Sequence, residues 1–503
     1  MFFRGTHRSC SIKKLSLKSL DLDVDFDASV VCGTAAITLR ATAAGAASSS
    51  GAGVSEAWLD SSALDVSSAS ASASSDGAAG EEPALSSSSS SFTLDPPHPV
   101  LGTRLRVPLE KPLTKEGQEA TIKIHFSTTA RGTALQWLSP AQTSGGRSPF
   151  LFSQCQAIHA RSFVPCQDTP GAKVTYDARV TVPAGLTPRM SALDDEEKKP
   201  EEVDGKKTRF SFAQPVPLSP YLLALAVGEL ERRDLSPRCA VWAEPSVVEA
   251  AAFEFSETED FLAAVEKASM RAFRWRRADL LVLPRSFPYG GMESLPTVFV
   301  TPTLIVGDRS QVRVVGVKGE RERKKREREK REREKREKER LKRAERERRE
   351  KTHKKMTCSS SFFERFLQAS VVAHEICHSV FGNDVSCATW SDFWLNEGFT
   401  VWLERRVVGR VRGAAAAALS AASGLAALKE SVRSFGSEHP FTRLVPLLPE
   451  GADPDDAFSK VRGSVGFELG REGKGGEKTN GEREKGREGR REDQRNEREK
   501  EKE

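Results

Sequence analysis

The sequence predicts an α+β chain, a mostly β region over residues 1–230 followed by a mixed region over 231–460, and three observations predict it. Two-residue alternation of apolar side chains recurs in three separate stretches before residue 183. Beyond Gly228 the apolar spacing becomes helical and is broken by two short, mainly apolar runs. A His-Glu-x-x-His pentapeptide then falls in the helical part, with a further glutamate on the next amphipathic segment.

In chain order, Leu20, Leu22, Val24 and Phe26 alternate with polar residues, as do Ala35, Ile37 and Leu39. The same period returns over Ala120–Phe126 and Val174–Val182, so each reads as a half-buried strand. Between the first pair and Ala120 lies 44–91, dominated by Ser, Ala and Gly, which is expected to stay disordered because it has little apolar surface to bury. Asp194–Lys207 reads as a charged loop. Val247–Trp275 has helical spacing, and Asp279–Pro284 and Thr297–Val300 read as buried strands. Ser370–Ala373 is the apolar start of a buried helix, and Trp390–Leu395 begins an amphipathic one.

The formal charge of +6 suggests nucleic acid or a membrane surface, but its location argues otherwise. Residues 312–368 alone carry a net charge of about +12, leaving the rest at about −6. That block interleaves glutamate with its basic residues and has no aromatics in its charged core, so no nucleic-acid partner is expected. No stretch approaches eighteen apolar residues, and Met1–Arg8 has no signal-peptide character. The eight cysteines are scattered without a C-x-x-C pair. Reduced thiols in the cytoplasm are therefore expected.

His374-Glu375-Ile376-Cys377-His378 carries the chemistry. On a helix, positions i and i+4 share a face, so both imidazoles converge on one cation. Glu375 then stands beside them as a general base toward water. Glu397, separated from His378 by eighteen intervening residues in Trp394-Leu395-Asn396-Glu397-Gly398, completes three protein ligands, the number a catalytic Zn²⁺ ion takes. One zinc ion per chain is expected. Cys377 lies within the motif but faces away from the two histidines.

Further motifs resemble a known family. Phe287-Pro288-Tyr289-Gly290-Gly291-Met292-Glu293-Ser294 is similar to the G-x-M-E-N motif of the M1 zinc aminopeptidases, with Ser294 in place of Asn. Gln154–Arg161, Pro165–Pro170 and His439-Pro440-Phe441-Thr442 resemble the branch of leukotriene A4 hydrolase and aminopeptidase B. The resemblance implies a saddle-like β domain and a thermolysin-like zinc peptidase domain, here truncated. It implies peptide substrates, with Glu293 binding the N-terminal amine, Gln156 lining the same side and Asp455 helping to define the substrate end. Gly290, Gly291 and Met292 would meet the peptide with backbone groups.

The chain departs from that pattern in two places. Residues 312–368 separate Gln311 from Ala369, which the family joins almost directly, and 461–503 form a charged tail of disordered composition. The family's oxyanion-stabilising tyrosine aligns with Gly463, and Tyr176, Tyr221 and Tyr289 are the only tyrosines in the chain. The family's epoxide hydrolase activity is not assignable from these residues. Gln311-Val312-Arg313 and Lys460-Val461-Arg462 can both be encoded by splice-donor sequences, so retained introns are expected. Sequencing the transcript should yield a mature message lacking codons 312–368; a message containing them would overturn the expectation.

Overall fold

The computed structural model describes residues 13–42, 53–73, 92–305, 370–445 and 453–457. The charged block at 312–368 and the tail at 461–503 lie outside the described residues.

The alternating stretches pair into one large sheet. Its strands run in the order Leu193–Asp194, Lys207–Leu218, Val174–Pro183, Lys13–Asp25, Val30–Ala41, Glu119–Thr128 and Leu64–Ala73. Lys13–Asp25 runs parallel to Val174–Pro183, and the other neighbours are antiparallel. Leu20, Leu22, Val24, Leu39, Ile122, Ile124 and Val180 point from it into the core. Val54–Ser61, Thr103–Leu113 and Thr93–Leu94 form a second sheet. A third has the order Thr187–Met190, Leu225–Gly228, Phe150–Ser153 and Leu135–Leu138.

A fourth, five-stranded sheet opens the mixed region, in the order Glu231–Asp234, Ala240–Ala243, Asp279–Val282, Thr297–Val300 and Gly291–Met292. Asp279–Val282 and Thr297–Val300 pair in parallel and are buried along their whole length, as their mainly apolar sequences predict. Gly291–Met292 lies at the sheet edge, antiparallel to its neighbour. The helices are α1 (Val248–Glu254), α2 (Thr258–Ser269), α3 (residues 370–377), α4 (Trp394–Arg412) and α5 (Ala414–Phe435). A continuous cluster of buried apolar side chains joins the sheets to α1–α4. No helix among the described residues is long and apolar enough to cross a membrane.

Two stretches differ from expectation. Within 44–91, expected to be disordered, Val54–Ser61 and Leu64–Ala73 are strands. Composition hides a period of two: Ala57 and Leu59 are fully buried, while Ala69 and Ala71 turn inward and Ser70 and Ser72 outward. Small residues suffice there because Glu119–Thr128 supplies the ladder hydrogen bonds. The expected loop at Asp194–Lys207 holds the strand Glu201–Val203, which turns back onto Lys207–Leu218. Asp204 and Gly205, both at positive φ, make that turn, and an Asp-Gly pair is its usual signature.

Leu59→Ala should lower the unfolding free energy by about 2–5 kcal/mol in a denaturant titration. Insensitivity to this substitution would return the stretch to disorder.

Candidate metal centre

α3 presents Val372, Ala373, Ile376 and Cys377 to the core, so its other face holds His374 and His378 at the edge of a cavity. His378 lies just past the helical residues, yet its N–H still donates to the His374 carbonyl at 3.1 Å. α4 carries Glu397 in its first turn, where the helix dipole favours a carboxylate. The start of α4 is fixed by fully buried Asn396, which accepts from Cys387 N–H at 2.8 Å and donates to the Tyr221 hydroxyl at 3.2 Å.

Two ring contacts decide the chemistry. His378 Nδ1 lies 2.9 Å from the Phe381 carbonyl, which only accepts, so Nδ1 carries the proton. Thr400 Oγ1 lies 3.1 Å from the same nitrogen. His374 Nδ1 faces Glu404 Oε2 at 3.1 Å and is a donor there too. In the neutral rings both Nε2 atoms are therefore bare lone pairs, and they stand 3.0 Å apart. Glu397 brings its oxygens to 3.4 Å from His374 Nε2 and 3.5 Å from His378 Nε2. Three electron-pair donors converging in a half-buried site call for a cation, and this set fits one. Burial works against the Glu397 anion, but His378 and His374 in their protonated forms outweigh it and hold the carboxyl below its usual range.

Glu375 projects from the same helix and is 5% exposed. It packs over Gly291, where an added Cβ would lie 2.5 Å from Glu375 Oε1. Burial, reinforced by the Glu293 carboxylate, pushes the Glu375 carboxyl well above its usual range despite His374. Glu293 is likewise raised by burial, against the pull of His378. Glu293 Oε1 and Glu375 Oε2 are buried and have no hydrogen-bond partner among the described residues.

These groups line a cavity of about 680 Å³. Every residue expected at the site from sequence lines it: Gln156, Gly290, Gly291, Met292, Glu293, His374, Glu375, His378, Glu397 and Asp455. Asp455 is anchored by Ala157 N–H at 3.2 Å and His159 Nε2 at 2.7 Å. A second cavity of about 560 Å³, beside Lys18, Arg40 and Asp177, contains no such set of donors.

Sequence reasoning missed the residues that hold the site in place. Glu404 follows Glu397 by seven residues, two helical turns along one face, which is the signal that was available. Gly382 has φ +109°, and an added Cβ there would lie 2.8 Å from His378 Nδ1. Asn383 Nδ2 donates to the Glu293 carbonyl at 2.8 Å, linking the loop after α3 to the cavity edge. Neither contact has a sequence signature.

A helix-borne pair of histidines, a glutamate from the next helix and a sheet edge beside them define a metallopeptidase-type centre. The comparisons with known proteins agree. The Peptidase M1 N-terminal domain matches residues 14–222, and the Peptidase family M1 domain matches residues 355–472. Leukotriene A-4 hydrolase of Xenopus laevis is 40% identical over 386 residues, which is 77% of this chain and 53% of that protein. Leucine aminopeptidase 2 of Aspergillus terreus is 37% identical, covering 76% of this chain and 52% of that protein. Among solved structures, yeast leukotriene A4 hydrolase in complex with bestatin superposes with a TM-score of 0.68 at 31% identity. That superposition covers 91% of this chain and 59% of the yeast chain. The chain belongs to the peptidase M1 family. It spans about half the length of the curated relatives it matches.

Glu404→Ala should weaken metal binding about 10- to 100-fold, since it removes the group orienting His374. Competition against a chelator of known affinity measures this; unchanged affinity would show that Glu404 does not orient the ring.

Proposed function

We propose that the chain is a zinc metallo-aminopeptidase that removes N-terminal residues from peptides. The observation that carries the reading is Glu293: a buried carboxylate with an unpartnered oxygen, in one cavity with the metal donors and a sheet edge. Zinc fits the donor set, because His374, His378 and Glu397 offer two imidazoles and one carboxylate and leave a position open. When bound, zinc supplies Lewis acidity toward the scissile carbonyl and lowers the pKa of water.

The remaining steps belong to the chain's own residues. Glu293 receives the protonated N-terminal amine, and that charge compensates its buried carboxylate. Gly290, Gly291 and Met292 hold the peptide backbone at the sheet edge, with Gln156 and Asp455 along the cavity wall. Glu375 accepts the proton of the attacking water as general base and returns it to the leaving amine.

A second reading, a peptide-binding protein of low turnover, is favoured by the tyrosine count. None of the three tyrosines follows Glu397, so the phenol that the resemblance expects is not in this chain. Losing one oxyanion donor costs about 10²–10³ in turnover.

Glu375→Gln should retain its metal and lose hydrolysis of aminoacyl-arylamides by at least about 10²-fold, the scale of general-base catalysis. Metal content by atomic absorption and arylamide turnover are measured together. Full activity in the variant would sink the mechanism, and bound zinc without turnover in the parent chain would select the second reading.

A further inference from the structure

We propose that His159 is a specificity-determining positioning residue: it holds Asp455 at the cavity wall in both of its protonation states while changing the net charge of that wall. His159 does not line the cavity itself and acts through Asp455, which lies 296 residues further along the chain.

The hydrogen bonds around the ring accommodate both states. Nε2–H donates to Asp455 Oδ2 at 2.7 Å whether the ring is neutral or cationic. Nδ1 lies 2.6 Å from Thr133 Oγ1. A hydroxyl donates to a bare Nδ1 and accepts from a protonated one, so its rotation absorbs the change without moving a heavy atom. Ala157 N–H holds the other Asp455 oxygen at 3.2 Å. A carboxylate has about four lone-pair sites, so two remain beyond these bonds. The Asp455 side chain is 39% exposed, which leaves them open to a substrate.

The groups acting on His159 are Asp455 and Asp453 from the short turn at 453–457 and Asp168 from the following loop. Arg161, two residues along, is engaged by Asp168 and the Leu101 carbonyl, and Tyr289 feels Asp455 from the cavity. Burial opposes a cationic ring, but Asp455 leads the carboxylates that outweigh it and hold His159 above its usual range. Below that pKa the pair is neutral overall. Above it Asp455 stands as an uncompensated anion. A substrate with a cationic first side chain therefore gains on a neutral one as pH rises.

The substrate side of this inference rests on the aminopeptidase reading; the ring's own titration does not. The test measures binding of lysine hydroxamate and norleucine hydroxamate to the zinc-loaded full chain, as a ratio that cancels their shared amine and metal-binding groups. The ratio should favour lysine about tenfold more at the alkaline end of a titration from about pH 5.5 to 8.5, the scale of one added charge near the ligand. His159→Gln, which keeps an N–H at the Nε2 position without a charge, should hold the high ratio at every pH. Asp455→Asn should hold the low one. A flat ratio in the parent chain, or parent-like pH dependence in His159→Gln, overturns the proposal. Imidazole ¹⁵N titration provides the second arm: His159 should lose its proton at lower pH in Asp455→Asn, and identical titration overturns the proposal. Should neither hydroxamate bind, the aminopeptidase reading fails, while the ¹⁵N arm still decides whether the switch exists.

Discussion

The centre depends on how two imidazole rings are held from behind. The Phe381 carbonyl and the Glu404 carboxylate each claim an Nδ1–H, which forces the two Nε2 lone pairs to face one another at hydrogen-bond distance. Thr400 and Gly382 close around His378, so the ring has little room to swing away. Glu404 and Thr400 both come from α4, which also delivers Glu397. One helix thus supplies a candidate ligand and part of the frame for both histidines. Its own start is fixed by Asn396 and Tyr221, which ties the frame to the N-terminal β region.

The cavity is assembled from segments far apart in the chain. Gln156 reaches it from the β region, 289–293 from the edge of the five-stranded sheet, and residues within 370–378 and 397–404 from the two helices. The turn at 453–457 joins them through Asp455. Such a site forms only once the sheets and helices have packed, because no single segment carries more than part of it.

How much of this was legible in the sequence depended on whether chemistry or packing left the trace. His374, His378 and Glu397 were legible as a candidate metal set because ligation demands particular residue types at helical spacing. Glu293 and its neighbours were legible only through resemblance, since a Gly-Gly-Met-Glu stretch alone reads as a turn. The strands at Val54–Ser61 and Leu64–Ala73 were obscured because Ser and Ala carry too little hydrophobic contrast to reveal a period of two. The hairpin at Asp204–Gly205 did have a signature, and the surrounding charge masked it. Asn383, Gly382 and Thr400 could not have been found, because their roles rest on contacts between elements that no local pattern encodes.

The hydrogen bond from Asn383 to the Glu293 carbonyl has a metrical consequence. It fastens the strand end bearing Glu293 to the loop that closes the metal helix, so the span between Glu293 and the histidines is set by a cross-brace. On the aminopeptidase reading that span is a ruler. It fixes how far from the amine the attacked bond lies, and hence that one residue is removed at a time.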